Sequence, residues 1–237
     1  MAPSTDDPRI NDDYVRTLPT ENGDVTLVGV VHDHPASVHR VRTLVETRAP
    51  DAVALELSPL ALPLFEAYAE DEKTPPELGG EMSAAIQAAD CDVVGIDAPS
   101  LSFLRRLFGR IREERPERDT VARVLRGVAS VTKHALTCRI GASIARWTGR
   151  TVELDRPVDH ECTLRDAPTA QAEDERKQAS QSLSLLRAFE TPEPMHLRDA
   201  TREECMAARL RELSADGNVV AVVGIDHLDG VSGEFTA

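Results

Sequence analysis

Residues 24–57 read DVTLVGVVHDHPASVHRVRTLVETRAPDAVALEL. Val25 to Val31 is nearly continuous apolar chain, the mark of a strand buried on both faces, as in a parallel sheet. Pro35 stands where a helix can begin, since its missing N–H costs nothing in a first turn. Val38, Val41, Leu44 and Val45 then recur at helical spacing up to Arg48, and Ala49-Pro50-Asp51 ends the helix. Ala52 to Leu57 is a second apolar strand. Strand, helix and strand in about 35 residues make the βαβ unit of a parallel sheet.

The pattern continues outward. Leu60 to Tyr68 reads as a short helix, and Asp71 to Gly80 as a loop. Met82, Ala85, Ile86 and Ala89 mark a helix that leads into a third strand, Asp92 to Asp97. From Leu101 to about Trp147 the periodicity is helical throughout. Thr151 to Pro168 has little periodicity and reads as loop. Gln171 to Phe189 has helical spacing through Leu183, Leu186 and Phe189, and Thr191-Pro192-Glu193-Pro194 stops it. Thr201-Arg202-Glu203-Glu204 has the form of a capping box opening a helix with Met206, Leu210 and Leu213 on its buried face. Val219 to Val223 is the last clear strand. The expected fold is α/β, a central, mainly parallel sheet flanked by helices, with a helical insertion over about 101–190. Residues 1–22 read as a flexible lead-in and 23–237 as a single domain.

Two stretches echo each other, Leu27-Val28-Gly29-Val30-Val31-His32 and Val222-Val223-Gly224-Ile225-Asp226-His227. Each is an apolar strand followed by glycine, two residues and a histidine. Ligands of open α/β sheets sit outside the carboxyl ends of the strands, so both imidazoles can reach one site. Glu56 and Asp97 end two further strands and fall at the same edge. Two imidazoles and two carboxylates suit a divalent metal, or acid–base work without one. Glu56 and Asp97 could equally cap the turns that follow them. Gly29 and Gly224 admit a close approach of ligand to backbone, or simply tight packing. His34 lies at a turn before Pro35, and His39 on an exposed helical face. Arg202, in what reads as a helix's first turn, is badly placed for the helix dipole, so it either pairs with an anion or is a solvated arginine.

Composition excludes several functions. The chain of 237 residues carries 41 acidic against 27 basic residues, a net charge of −14, and only Lys73, Lys133 and Lys177 are lysines. Such a surface suits a salt-rich cytoplasm, where screening suppresses self-repulsion. It argues against nucleic-acid binding, which needs clustered bases free of offsetting acids; the one local cluster, Arg105 to Arg115, is diluted by Glu113, Glu114 and Glu117. Cys91, Cys138, Cys162 and Cys205 are far apart without CxxC spacing and read as reduced thiols. Met1 to Asn22 lacks the pattern of a signal peptide, and no apolar run is long enough to span a bilayer, so a soluble cytoplasmic protein is expected.

Leu27 to Pro59 resembles the opening of the TraB/PrgY (pheromone shutdown) family, with its glycine-x-x-histidine strand end, helix, Pro-Asp and strand ending in glutamate-leucine. Val219 to Val231, VVAVVGIDHLDGV, is similar to that family's second glycine-x-x-histidine motif. Glu81 to Ile86, Gly95 to Asp97 and Arg202 to Ala207 resemble two further blocks. Ala98 and Thr201 stand where the family usually has arginine and glutamate. The resemblance extends to a wider group that includes Tiki-type proteases, GumN-like and ChaN-like proteins and erythromycin esterases. It implies a metal-dependent hydrolase, expected to be a peptidase. His32 and His227 would hold a divalent ion, Glu56 would be ligand or general base, Arg202 would hold a substrate carboxylate or oxyanion, and Asp97 is a further possible ligand. The competing expectation is a non-catalytic protein that sequesters a peptide signal.

Overall fold

The computed structural model describes residues 7–149, 151–154, 158–188 and 193–237. The chain is α/β, with a five-stranded sheet flanked by helices. The strands are β1 (Val15–Pro19), β2 (Asp24–Val30), β3 (Ala52–Leu55), β4 (Asp92–Gly95) and β5 (Val219–Gly224). Their order is β1-β2-β5-β3-β4, with β1 antiparallel to β2 and every other pairing parallel. The last strand lies at the centre, and all six of its residues are buried.

Local chemistry sets the element ends. Helix α1 (Pro35–Arg48) is capped by His34, whose Nδ1 accepts the Ala36 N–H at 3.1 Å, and it stops at Ala49 in left-handed conformation. Helices α2 (Leu62–Ala69) and α3 (Gly80–Ala88) pack with α1 on one face of the sheet, over Val28, Val53, Leu55 and Val222. Helices α4 (Leu101–Glu114), α5 (Arg118–Thr148) and α6 (Pro168–Ala188) fill the expected insertion. Helices α7 (Glu193–Leu213) and α8 (Ile225–Thr236) cover the other face, where Met206, Leu210 and Leu228 meet Leu27, Ala221 and Val223. Gly29 is a packing glycine, because a Cβ there would lie 2.9 Å from Leu228 Cδ2 on α8.

The structure departs from the sequence reading in three places. Residues 15–19, assigned to the lead-in, form the edge strand β1, anchored by buried Tyr14 and Leu18 and ended by Pro19. Thr201 does not open a helix. It lies within α7, fully buried, and its hydroxyl donates to the Leu197 carbonyl one turn back at 2.7 Å. Pro194, read as a stop, sits in the first turn of that helix, where proline is tolerated. Helix α6 buries Gln171, Ala172, Glu175 and Ala179, whereas Leu183 is only half-buried; the side chain of Leu186, Phe189 and the first two residues of the expected stop at 191–194 fall outside the described residues. The four cysteines are free thiols.

Candidate functional site

Four strands deliver polar groups to one edge of the sheet. His32 lies two residues beyond β2, Glu56 directly after β3, Asp97 two residues beyond β4, and His227 in the first turn of α8, which β5 enters at Gly224. Arg202 reaches the same edge from α7. Its guanidinium donates to Asp97 through Nε (2.9 Å to Oδ1) and Nη2 (2.7 Å to Oδ2). Nη2 also donates to Glu56 Oε1 at 2.6 Å, and Nη1 lies 2.9 Å from His227 Nε2. The second Glu56 oxygen accepts the Gly224 N–H at 2.7 Å. Arg202, Glu56, Asp97 and His227 are all largely buried.

A guanidinium cannot give up its proton, and here less so than usual. Burial works against its charge, but the hydrogen bond and fields of Asp97 and Glu56 outweigh it and raise its pKa. The His227 contact therefore fixes a tautomer. Nη1 can bond Nε2 only if that nitrogen carries a lone pair, so the imidazole's proton is on Nδ1, which lies 2.9 Å from Glu203 Oε1. Burial disfavours charge on His227, while the Glu203 hydrogen bond and the Glu56 field raise its pKa on balance. The donor geometry at Nε2 nonetheless selects the neutral ring.

His32 is held in the same way by a different element. Its Nδ1 lies 2.7 Å from Glu81 Oε1, and Glu81, buried in the first turn of α3, accepts the Asp33 N–H with its other oxygen at 2.8 Å. The Glu81 hydrogen bond, against the opposing effect of burial, raises the His32 pKa to about 9. The His32 side chain is half-exposed. Gly224 is the floor between the parts. A Cβ there would lie 3.5 Å from Glu56 Oε2, 3.6 Å from His32 Nε2 and 2.6 Å from Asp226 Oδ1. Glu56 thus stands between the imidazoles, with Oε1 at 3.7 Å from His227 Nε2 and Oε2 on the His32 side.

Beside Asp97 and Arg202 opens a cavity of about 160 Å³, walled by Pro99, Phe103 and Val128. His39 contacts Asp7 and Arg9, away from this edge. His34, fully buried, forms a separate group: its Nε2 lies 3.3 Å from Asp174 Oδ2 and 3.4 Å from Cys162 Sγ. These three could hold a metal ion. As they stand, the cap bond at His34 Nδ1 places the ring's proton on Nε2, where it faces Asp174, and a metal would have to displace it. The Cys162 thiol is pushed up to about 12 by burial and by Asp174.

Glu81 and Glu203, the anchors of the two imidazoles, were not singled out by spacing. Neither were Cys162, in a stretch of little periodicity, and Asp174, a polar position of the 171–189 helix. Among the described residues no helix is long and apolar enough to cross a membrane. Comparison of the chain with family models, curated proteins and solved structures gives no match.

Proposed function

We propose that this edge of the sheet is the active site of a metal-dependent hydrolase of the TraB/PrgY type, acting on peptides. The observation that carries the reading is the paired anchoring: each of two histidines, one just beyond β2 and one in the first turn of α8 after β5, gives its Nδ1 to a glutamate and turns Nε2 toward the Glu56 region. Carboxylate-anchored imidazoles are the usual partners of a protein-bound metal, since the outer hydrogen bond fixes the tautomer and raises ligand basicity.

The donor types suit a divalent ion, although as placed the three do not yet converge: among the described residues only His34, Cys162 and Asp174 bring their ligand atoms within 4.8 Å of one another. Two imidazole nitrogens and a carboxylate match the three-ligand sets of hydrolytic zinc sites, and the missing side chain at Gly224 lets Asp226, Glu56 and His32 close in on one place. His32, Glu56 and His227 would hold the ion, His227 only once Arg202 Nη1 gives up the Nε2 lone pair that it occupies, with Asp97 engaged by Arg202. A bound ion supplies Lewis acidity and a water activated near neutral pH. Arg202 acts by position: its hydrogen-bonding edges are turned to Asp97, Glu56 and His227, so it fixes Glu56 and keeps His227 neutral. Glu56, its Oε2 steadied by the Gly224 N–H, is ligand or general base. The cavity beside Asp97 takes an apolar substrate group; an engineered cavity of about 150 Å³ is large enough for benzene.

His32→Ala, Glu56→Gln and His227→Ala separate the roles when bound metal and peptide hydrolysis are measured together. Loss of either imidazole should remove most of the metal. Glu56→Gln should retain metal and lose turnover by roughly 100-fold or more if Glu56 is the base, whereas metal and turnover fall together if it is a ligand. Wild-type protein that binds no divalent ion and cleaves no peptide, yet retains peptide, would replace this reading with signal sequestration.

A further inference from the structure

Helix α5 is apolar on two opposite faces. One face, with Val124, Val128, Ala135, Cys138, Ala142 and Ala145, is buried against the rest of the molecule. The other is turned outward: Leu136, Ile140, Ile144 and Trp147 follow one another at spacings of four and three residues, and Leu125 extends the line three turns toward the amino end. Ile140 is 60% and Trp147 89% exposed. At 1.5 Å per residue the unbroken row from Leu136 to Trp147 is about 17 Å long, and Ala129, Thr132 and Lys133 separate it from Leu125. Isolated surface leucines are ordinary, but four large apolar side chains in one exposed row mark a contact surface.

The charges beside the stripe identify its occupant. In a chain with an excess of acids, α5 carries Arg118, Arg123, Arg126, Lys133, Arg139 and Arg146 against Asp119 alone, and residues 120–148 contain no acid. A basic helix with an apolar stripe and a terminal tryptophan matches an anionic lipid surface, in which the apolar face lies about 5–10 Å deep and the basic flanks meet headgroups. A symmetric contact with a second copy would bring the two basic flanks together, so it is disfavoured. We propose that the outer face of α5 docks the protein peripherally on an anionic bilayer, with the helix lying in the interface. At a screening length of about 8 Å in physiological salt, the acidic remainder of the surface is hidden from the lipid while charges in contact still act.

Trp147 is the chain's single tryptophan, so its emission reports this face directly. The full chain is mixed at physiological salt with vesicles of phosphatidylcholine alone, or with one part in three replaced by phosphatidylglycerol. Emission and co-sedimentation are then measured. A blue shift and binding confined largely to the anionic vesicles are expected. Ile140→Glu should lower binding by about tenfold or more, since losing one apolar side chain from the lipid and placing a charge there exceeds the ~1.4 kcal/mol of a decade. Ile140 points outward, so the variant's circular dichroism should match wild type, confirming that the fold is intact. Three results would overturn the proposal: no shift with anionic vesicles, binding that Ile140→Glu leaves unchanged, or a blue shift that grows with protein concentration without vesicles. The last would make a second copy the occupant.

Discussion

Glu81 and Glu203 do similar work for different rings, and their surroundings separate the outcomes. His227 meets a permanent cation at Nε2 and is held neutral, whereas Nε2 of His32 faces the Glu56 side and the ring is a stronger base, with its pKa at about 9. NMR titration should find one imidazole changing charge near that value, and Glu81→Gln should return it toward about 6.5. The stability consequence has a definite sign. Because the folded value lies above the unfolded one, the His32–Glu81 contact contributes fully below about pH 6.5 and is lost as pH rises through about 9. Denaturation midpoints of Glu81→Gln and wild type should therefore differ most in mild acid and converge in alkali. His32 and His227 were legible in the sequence because each ends an apolar strand. Glu81 was not: it lies 49 residues from His32 and carries only the periodicity of its own helix.

Between elements, the join of α1 to α6 rests on charge. Arg40 is fully buried, donates to the Arg9 and Gly29 carbonyls at 2.7 and 2.8 Å, pairs with the equally buried Glu175, and stacks on Tyr14 at 4.1 Å. Glu175 also accepts the Ser37 hydroxyl at 2.5 Å. Removing one partner leaves the other as an uncompensated buried charge, so Glu175→Ala should cost about 3–5 kcal/mol in chemical denaturation, while an apolar pair at both positions should recover much of it. This join also explains what the sequence concealed at element scale. A helix that buries Glu175 and Gln171 does not display an unbroken apolar stripe, so its leucines, which begin only at Leu183, gave no sign of the polar contacts made by its first half. Thr201 misled for a related reason. Its local pattern fits a cap, but a threonine hydroxyl can equally bond back into its own helix, and burial chose between the two.

For the molecule as a whole, the parallel core was legible because buried strands read as unbroken apolar runs, and the edge strand β1 was not, because only Tyr14 and Leu18 anchor it. The acidic surface gives a thermodynamic expectation. Between about 1 M and 0.01 M salt the screening length grows from about 3 to about 30 Å, so like charges repel across most of the surface and the thermal midpoint should fall as salt is removed. An unchanged midpoint across that range would dismiss adaptation to high salt. The strand order has a consequence of another kind, in the order of synthesis. The two halves of the sheet, β1-β2 and β3-β4, are joined only by β5, yet β3 ends at Leu55 and β5 begins at Val219. While a ribosome makes the intervening chain, both halves expose unpaired parallel edges, and His32 and Glu56 have neither Gly224 nor His227 beside them. The nascent protein thus lacks a complete site and is most prone to aggregation until its central strand emerges, and a chaperone that shields open sheet edges would act in that interval.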